Sequence, residues 1–313
     1  MSLVVQVIVT GLAAGGVYGL VAVGHSLIYR LTGIVYFAFG DLVALAVFTT
    51  LLVAAGTSPI SQTSLAPGRF VLALAVGLLV CILVGATTYV LFIEPYLLRG
   101  SILGWVAATL AIAFTIHGMI GATFTRPAYV FPDPIPFHKV GGDGLVSLGG
   151  ATVQVRSFFV IALAALLAAL AVWALEQTRY GRALQAIASD VEGARFVGLP
   201  VEALVALTFG LVGALAALAA VAAAPSAPFA VDTGTLLGLK GLVAALIVRF
   251  GSPWSAFAAG LGVGLAEAAI DNLRIGGLGL GPQYGEILPL AFALALIAYR
   301  SLRSDGVVSF SRP

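Results

Sequence analysis

The run FVLALAVGLLVCILVGATTYVLFIEP fills residues 70–95 and meets no charge before Glu94. A helix needs roughly 20 consecutive apolar residues to cross a hydrocarbon core about 30 Å thick. The run is long enough, and it lacks the strict alternation that marks a strand. In lipid, its backbone amides find partners only within a helix, because no water is there to take their place. Residues 70–95 therefore read as a membrane span, and the rest of the chain repeats the pattern. Comparable runs lie near 3–28, 34–54, 102–121, 157–175, 203–224 and 253–271, with shorter ones near 235–250 and 286–300. The expected fold is an all-α integral membrane bundle of about nine transmembrane helices, with eight or ten as the neighbouring counts.

Composition agrees. Of 313 residues, 61% are hydrophobic and 9% charged, and mean hydropathy is +1.12. Soluble domains carry about 25% charged residues to cover a wetted surface, so most of this surface faces lipid. A net charge of +2 with scattered basic residues gives no nucleic-acid footprint. The lone Cys81 excludes an internal disulfide framework. Met1–Val5 has no basic leader and reads as the start of a retained span. The chain reads as one membrane domain over 1–313.

Basic residues set the orientation, since they concentrate on the cytoplasmic side. With nine spans and the N-terminus outside, one side takes Arg30, Arg99, Arg179, Arg182, Arg195, Arg249, Arg300, Arg303 and Arg312. The other takes Arg69, Arg126, Lys139, Arg156 and Arg274. Nine against five places the C-terminus and the 176–202 loop in the cytoplasm. Residues 122–156, rich in Pro and Gly, become an external loop with a short hairpin around Gly141–Thr152.

Small residues recur at four-residue spacing. Gly11, Gly15 and Gly19 form one row, and Gly260, Gly264 and Ala268 another. Such rows let helix backbones approach closely in lipid. Two roles fit the rows, a mobile helix pair and plain helix packing.

The segment EQTRYGRALQAIASDVEGARFVGLPVE (176–202) is the most polar stretch. Leu184, Ile187, Ala188 and Val191 follow i, i+3, i+4, i+7 spacing and predict a short amphipathic helix. Ser189-Asp190-Val191-Glu192 has the form of a capping box and predicts a second helix starting at Asp190. Gly181 and Gly198 punctuate the ends, and Arg182, Gln185, Asp190, Glu192 and Arg195 are expected to face water. An element of this kind can dock into a groove on a soluble partner or lie on the lipid surface.

Four segments resemble branched-chain amino acid ABC transporter permeases, in that family's order and over about residues 5–300. GLAAGGVYGLVAVGHSLIY (11–29) is similar to the first span, and IVYFAFGD (34–41) to the second-span motif N-F-A-H-G-E. GRALQAIASD with ARFVGL (181–199) resembles the cytoplasmic coupling segment, and GTLLGLKGLVAALIVRFGS (234–252) the late glycine-rich region. Phe39 stands where the family commonly has His, Asp41 replaces Glu, and Val248-Arg249-Phe250 replaces a small glycine-rich turn.

The resemblance implies the permease subunit of an importer in a bacterial inner membrane, paired with an identical or related second permease. Cytoplasmic ATPase subunits would grip Gly181, Arg182, Ala183, Leu184, Ala188, Asp190, Ala194, Arg195 and Gly198. An external binding protein would deliver the ligand, and ATP and Mg would be used by the ATPases, with no cofactor on this chain. The ligand class stays open between branched-chain amino acids, urea and short amides.

Ionisable residues at membrane depth are costly and mark partners or paths. Asp41, Lys240 and Glu267 qualify, with Glu94 and Glu286 nearer span ends. Together with Phe37, Phe39 and Gly40 they are the candidate translocation-path residues. Gly40 is expected to let the second span break, and Lys240, near a span end, to snorkel outward. A buried ion pair fixing helix register explains Asp41 equally well and Glu267 better.

His25, His117 and His138 are far apart in sequence with no acid at ligand spacing. The glycines around Lys240 lack the Gly-Lys-Ser/Thr ending of a phosphate loop. A chain of this kind needs its energy from elsewhere and is expected to be no enzyme. The alternative is a secondary transporter driven by an ion gradient, which would use acids such as Asp41 and Glu267 for coupling.

Overall fold

A computed structural model describes residues 2–56, 67–98, 101–131, 145–148, 151–224 and 228–272, with 274–275, 278–279 and the single positions 291 and 295. The expected span at 286–300 lies outside the described residues except at two positions, as do 132–144 of the external loop.

The apolar runs are helices. In chain order they are α1 (Ser2–Thr32), α2 (Phe39–Ala55), α3 (Pro67–Thr87), α4 (Glu94–Leu98) and α5 (Ile102–Thr123). After them come α6 (Val155–Gln177), α7 (Arg179–Ser189), α8 (Val191–Phe196), α9 (Val201–Ala223), α10 (Val231–Ile247) and α11 (Pro253–Asp271). A π-helical stretch, Thr88–Ile93, joins α3 to α4. Among the described residues six helices are long and apolar enough to cross a membrane, and α2 is a shorter apolar one. The expected hairpin exists as β1 (Leu145–Leu148) paired antiparallel with β2 (Ala151–Gln154).

Burial sorts the helices into a centre and a rim. Two-thirds of the α1 span is buried, against 22% for α5 and for α6. The rim helices turn Leu103, Phe114, Leu166, Leu170 and Trp173 outward, as a lipid-facing surface requires. At the centre lie Tyr36, Phe39, Phe48 and Phe209, all fully buried.

The two glycine rows meet each other across the α1–α11 contact. A Cβ on Gly15 would lie 2.8 Å from Leu261 Cα, and one on Gly11 would lie 2.9 Å from Leu265 Cα. Cβ atoms on Gly260 or Gly264 would collide with the backbones of Gly19 and Gly15. The rows are therefore a packing seam, with backbone against backbone.

The second span differs from expectation. Residues 34–38 are not helical, and α2 begins at Phe39. Gly40 therefore sits in a first turn instead of breaking a helix. Its role is close approach: α10 presents Gly234 and Gly238 to it, and a Cβ there would lie 2.8 Å from Gly238 Cα.

The turn after α10, where Val248-Arg249-Phe250 departs from the glycine-rich pattern of the resemblance, has a backbone that suits glycine. Arg249 and Phe250 both adopt positive φ, 54° and 52°, a region that costs a side-chain-bearing residue about 1–2 kcal/mol. Phe250 N–H closes the helix end on Ala245 O at 2.8 Å. Its buried ring stacks on Tyr29 at 4.0 Å, whereas Arg249 is exposed. Arg249→Gly is expected to raise stability by roughly 0.5–1 kcal/mol, the relief of strain less the added chain entropy. Phe250→Gly should lower it by about 3 kcal/mol through loss of the stacked ring. Unfolding midpoints in detergent will show the opposite signs.

Candidate functional site

The sequence reading grouped six residues on one path, and the fold divides them between two separate sites along α10. The first is a cavity of about 320 Å³ between α1, α2, α5 and α10. Phe37 and Asp41 line it, with His25, Leu110, Phe114, His117, Asp232, Thr235 and Leu242. Asp41 lies in the first turn of α2, where a helix dipole favours negative charge. Its carboxylate is 4% exposed. The Thr235 hydroxyl donates to Asp41 Oδ1 at 2.8 Å.

His117 lies between two acids, with Nδ1 3.9 Å from Asp41 Oδ1 and Nε2 3.3 Å from Asp232 Oδ1. Asp232 is 78% exposed and stands at the mouth. Phe39 lies behind the cavity wall, fully buried, with its ring edge-on to His25 at 5.0 Å. Gly40 is the packing contact described above.

The second site is an ion pair. Lys240 Nζ meets Glu267 Oε1 at 2.7 Å and donates to Tyr18 Oη at 3.3 Å. The two charged side chains are 7% and 14% exposed. Lys240 therefore does not snorkel; it is pinned between α1, α10 and α11. Neither Lys240 nor Glu267 reaches the cavity that Asp41 lines.

The 176–202 segment folds as two short helices. Thr178 caps α7 by accepting from Gly181 N–H at 3.1 Å, and Gln185 ties α7 back to Leu175 O at 2.9 Å. The Tyr180 hydroxyl shares a 2.7 Å hydrogen bond with Thr208 of α9, and burial pushes this phenol above its ordinary pKa. Gly181, Leu184, Ile187 and Ala194 are buried, whereas Ala188 and Val191 are exposed, so the apolar stripe is narrower than the spacing implied. The cap of α8 is Asp190, not Ser189: Asp190 Oδ1 accepts from Gly193 N–H at 2.9 Å, while Ser189 bonds back to Gln185 O. Gly198 ends the unit at φ 81°, beside a 2.7 Å Arg195–Glu202 pair.

Arg182, Ala183, Gln185, Asp190, Glu192 and Arg195 lie on or near the open side. Sequence reasoning missed their apolar neighbours. Phe196 is 90% exposed and Val197 78% exposed, next to the charged face. Their signal was present as two bulky apolar residues off the helical stripe and just before Gly198. His25, His117, Asp232 and Thr235 were missed because 92 residues separate the histidines in sequence.

Residues 7–297 match the family described as branched-chain amino acid transport system, permease component. The chain is 24% identical over 302 residues to the high-affinity branched-chain amino acid transport system permease protein BraD of Pseudomonas aeruginosa, covering 94% of this chain and 93% of that one. It is 26% identical over 299 residues to the LivH permease protein of the same kind of system in Escherichia coli, covering 93% and 92%. Among solved structures, a chain of PsaBC from Streptococcus pneumoniae in complex with Fab is similar with a TM-score of 0.49 at 18% identity, over 94% of each chain.

Proposed function

The chain belongs to the branched-chain amino acid transport system permease family, and from that premise we propose that it forms the membrane path of an ABC importer for branched-chain amino acids or a similar small polar solute. The match over residues 7–297 carries the reading, because it spans nearly all of the multi-pass bundle. On this reading the chain is one permease domain of nine spans in the bacterial inner membrane, with the N-terminus outside and the C-terminus cytoplasmic. It has no catalytic role. Two permeases, identical or related, enclose the path, an external binding protein delivers the solute, and partner ATPases consume ATP and Mg. Phe37 and Asp41 border the path, while Phe39 and Gly40 hold its wall. The Lys240–Glu267 pair holds three helices in register.

We assign α7 and α8 as the ATPase-coupling unit. Leu184, Ile187 and Ala194 anchor it to the bundle, so force on its open side reaches α6 and α9 through the Gln185 and Tyr180 bonds. Exposed aromatic side chains are frequent anchors of protein interfaces, and Phe196 is the natural one.

The test is co-purification of ATPase subunits with the intact chain. Phe196→Asp should reduce co-purified ATPase by about tenfold or more, and Arg182→Glu should weaken it by a smaller factor. Asp190→Lys is a poorer probe, because it removes the α8 cap, worth about 1 kcal/mol. If solute uptake persists with no ATPase bound to wild type, a gradient-driven transporter replaces this reading.

A further inference from the structure

Resting on the permease reading, we propose that Phe209 and Tyr36 are positioning residues that carry the state of the α7–α8 unit to the cavity wall at Phe37. Gly33 ends α1 at φ 69°, and residues 34–38 lie outside both α1 and α2. They lack the continuous backbone ladder that stiffens a helix. Side-chain contacts therefore decide where this connection sits. Burial alternates along it: Ile34, Tyr36 and Ala38 are buried, while Val35 and Phe37 are half-buried. Such alternation sends neighbouring side chains to opposite sides, here Tyr36 into the core and Phe37 onto the cavity. A displacement of Tyr36 takes Phe37 with it.

In the core Tyr36 meets Phe209 of α9, edge-on with ring centroids 5.3 Å apart, a geometry that aromatic pairs favour. Phe209 is fully buried, and the Tyr89 ring lies 5.2 Å from it. A Cβ on Gly85 of α3 would collide with the Phe209 carbonyl oxygen, so the main chain here has no slack toward α3. The residue before it, Thr208, shares the 2.7 Å hydrogen bond with Tyr180 of α7, and the Tyr180 hydroxyl also donates to Leu204 O at 3.3 Å. The fastening of α7 and the ring that holds Tyr36 thus sit on the same stretch of α9. From α7 to the cavity the links are one hydroxyl pair, one turn of helix, one ring contact and one peptide step. The competing route runs through α1, which α7 also touches and which brings His25 to the cavity.

The test measures uptake of radiolabelled leucine and ATP hydrolysis together, in proteoliposomes holding the complex with its ATPase subunits and external binding protein. Phe209→Leu and Tyr36→Leu should each lower the solute moved per ATP by about fivefold, with ATPase subunits co-purifying in wild-type amount. Tyr36→Phe keeps the ring and should keep the wild-type ratio. Tyr180→Phe deletes one hydroxyl and should lower the ratio less. Combined with Phe209→Leu it should add nothing further, since both changes cut one route. Phe48→Leu is the packing control, a ring buried as deeply but packed on Phe124, and should leave the ratio unchanged. A wild-type ratio in both truncations overturns the inference and sends the route through α1. Equal losses in Tyr36→Phe and Tyr36→Leu, an equal loss in Phe48→Leu, or additive losses in the double variant overturn it too. Should the truncations fail to assemble, Tyr180→Phe decides alone, and an unchanged ratio there is fatal to the inference. Loss of the permease reading has a different signature: no ATP-dependent leucine uptake by the wild-type complex.

Discussion

Glu267→Gln is expected to be among the most damaging single changes in the bundle, lowering stability by about 3–5 kcal/mol. Lys240 keeps its charge and its position between α1, α10 and α11 but faces a neutral amide where the carboxylate stood at 2.7 Å. The hydroxyl of Tyr18 remains at 3.3 Å, and its ring lies 5.1 Å beneath Nζ. Neither carries a compensating negative charge. The double variant Lys240→Met/Glu267→Leu removes both charges and should recover most of the loss, because a buried ion pair is often no better than well-packed apolar side chains. Detergent unfolding midpoints for the wild type, the single and the double variant decide the matter. If the single variant matches wild type, Lys240 is not held by Glu267 in the membrane. If the double variant is as damaged as the single, the pair contributes net stability or register beyond mutual neutralisation.

The second large effect is expected at the α1–α11 seam. Gly264→Leu places four carbons where a single Cβ already collides with Gly15. No rotamer relieves the collision, because the obstacle is main chain on both sides. The helices must separate, and the neighbouring contacts Gly19–Gly260 and Gly11–Leu265 open with them. Loss of folded, monodisperse protein on size exclusion is the expected outcome. Gly262→Leu, on the same helix but with nothing near its absent Cβ, is the matched control and should purify normally. Equal yields for the two variants would show that the seam is not closed in the bilayer.

Sequence made the helices legible because lipid imposes a simple rule on length and polarity, and the runs at 70–95, 157–175 and 203–224 obey it. The glycine rows were equally legible, since four-residue spacing survives translation into a helix face. That the two rows face one another was not, because helix adjacency leaves no local trace. The same blindness hid the cavity. His25 and His117 come from α1 and α5, and only tertiary packing brings them to Asp41 and Asp232. Lys240 was misread for a related reason. Position along a span predicts depth, but whether a side chain points to lipid or to Glu267 depends on the azimuth of α10. At α8, the S-x-x-E pattern and a simple Asp cap differ by one residue, and the Asp190 side chain reached Gly193 N–H first.

The two bonded pairs on α10 have a mechanical consequence. Thr235 and Lys240 are five residues apart, which places them about 140° around the helix and about 7.5 Å along it. One is bolted to α2 through Asp41, the other to α11 through Glu267. A helix fastened at two azimuths cannot spin about its axis without shearing one of the fasteners. Any rotation of α10 must therefore carry α2 and α11 with it or break one of the two bonds.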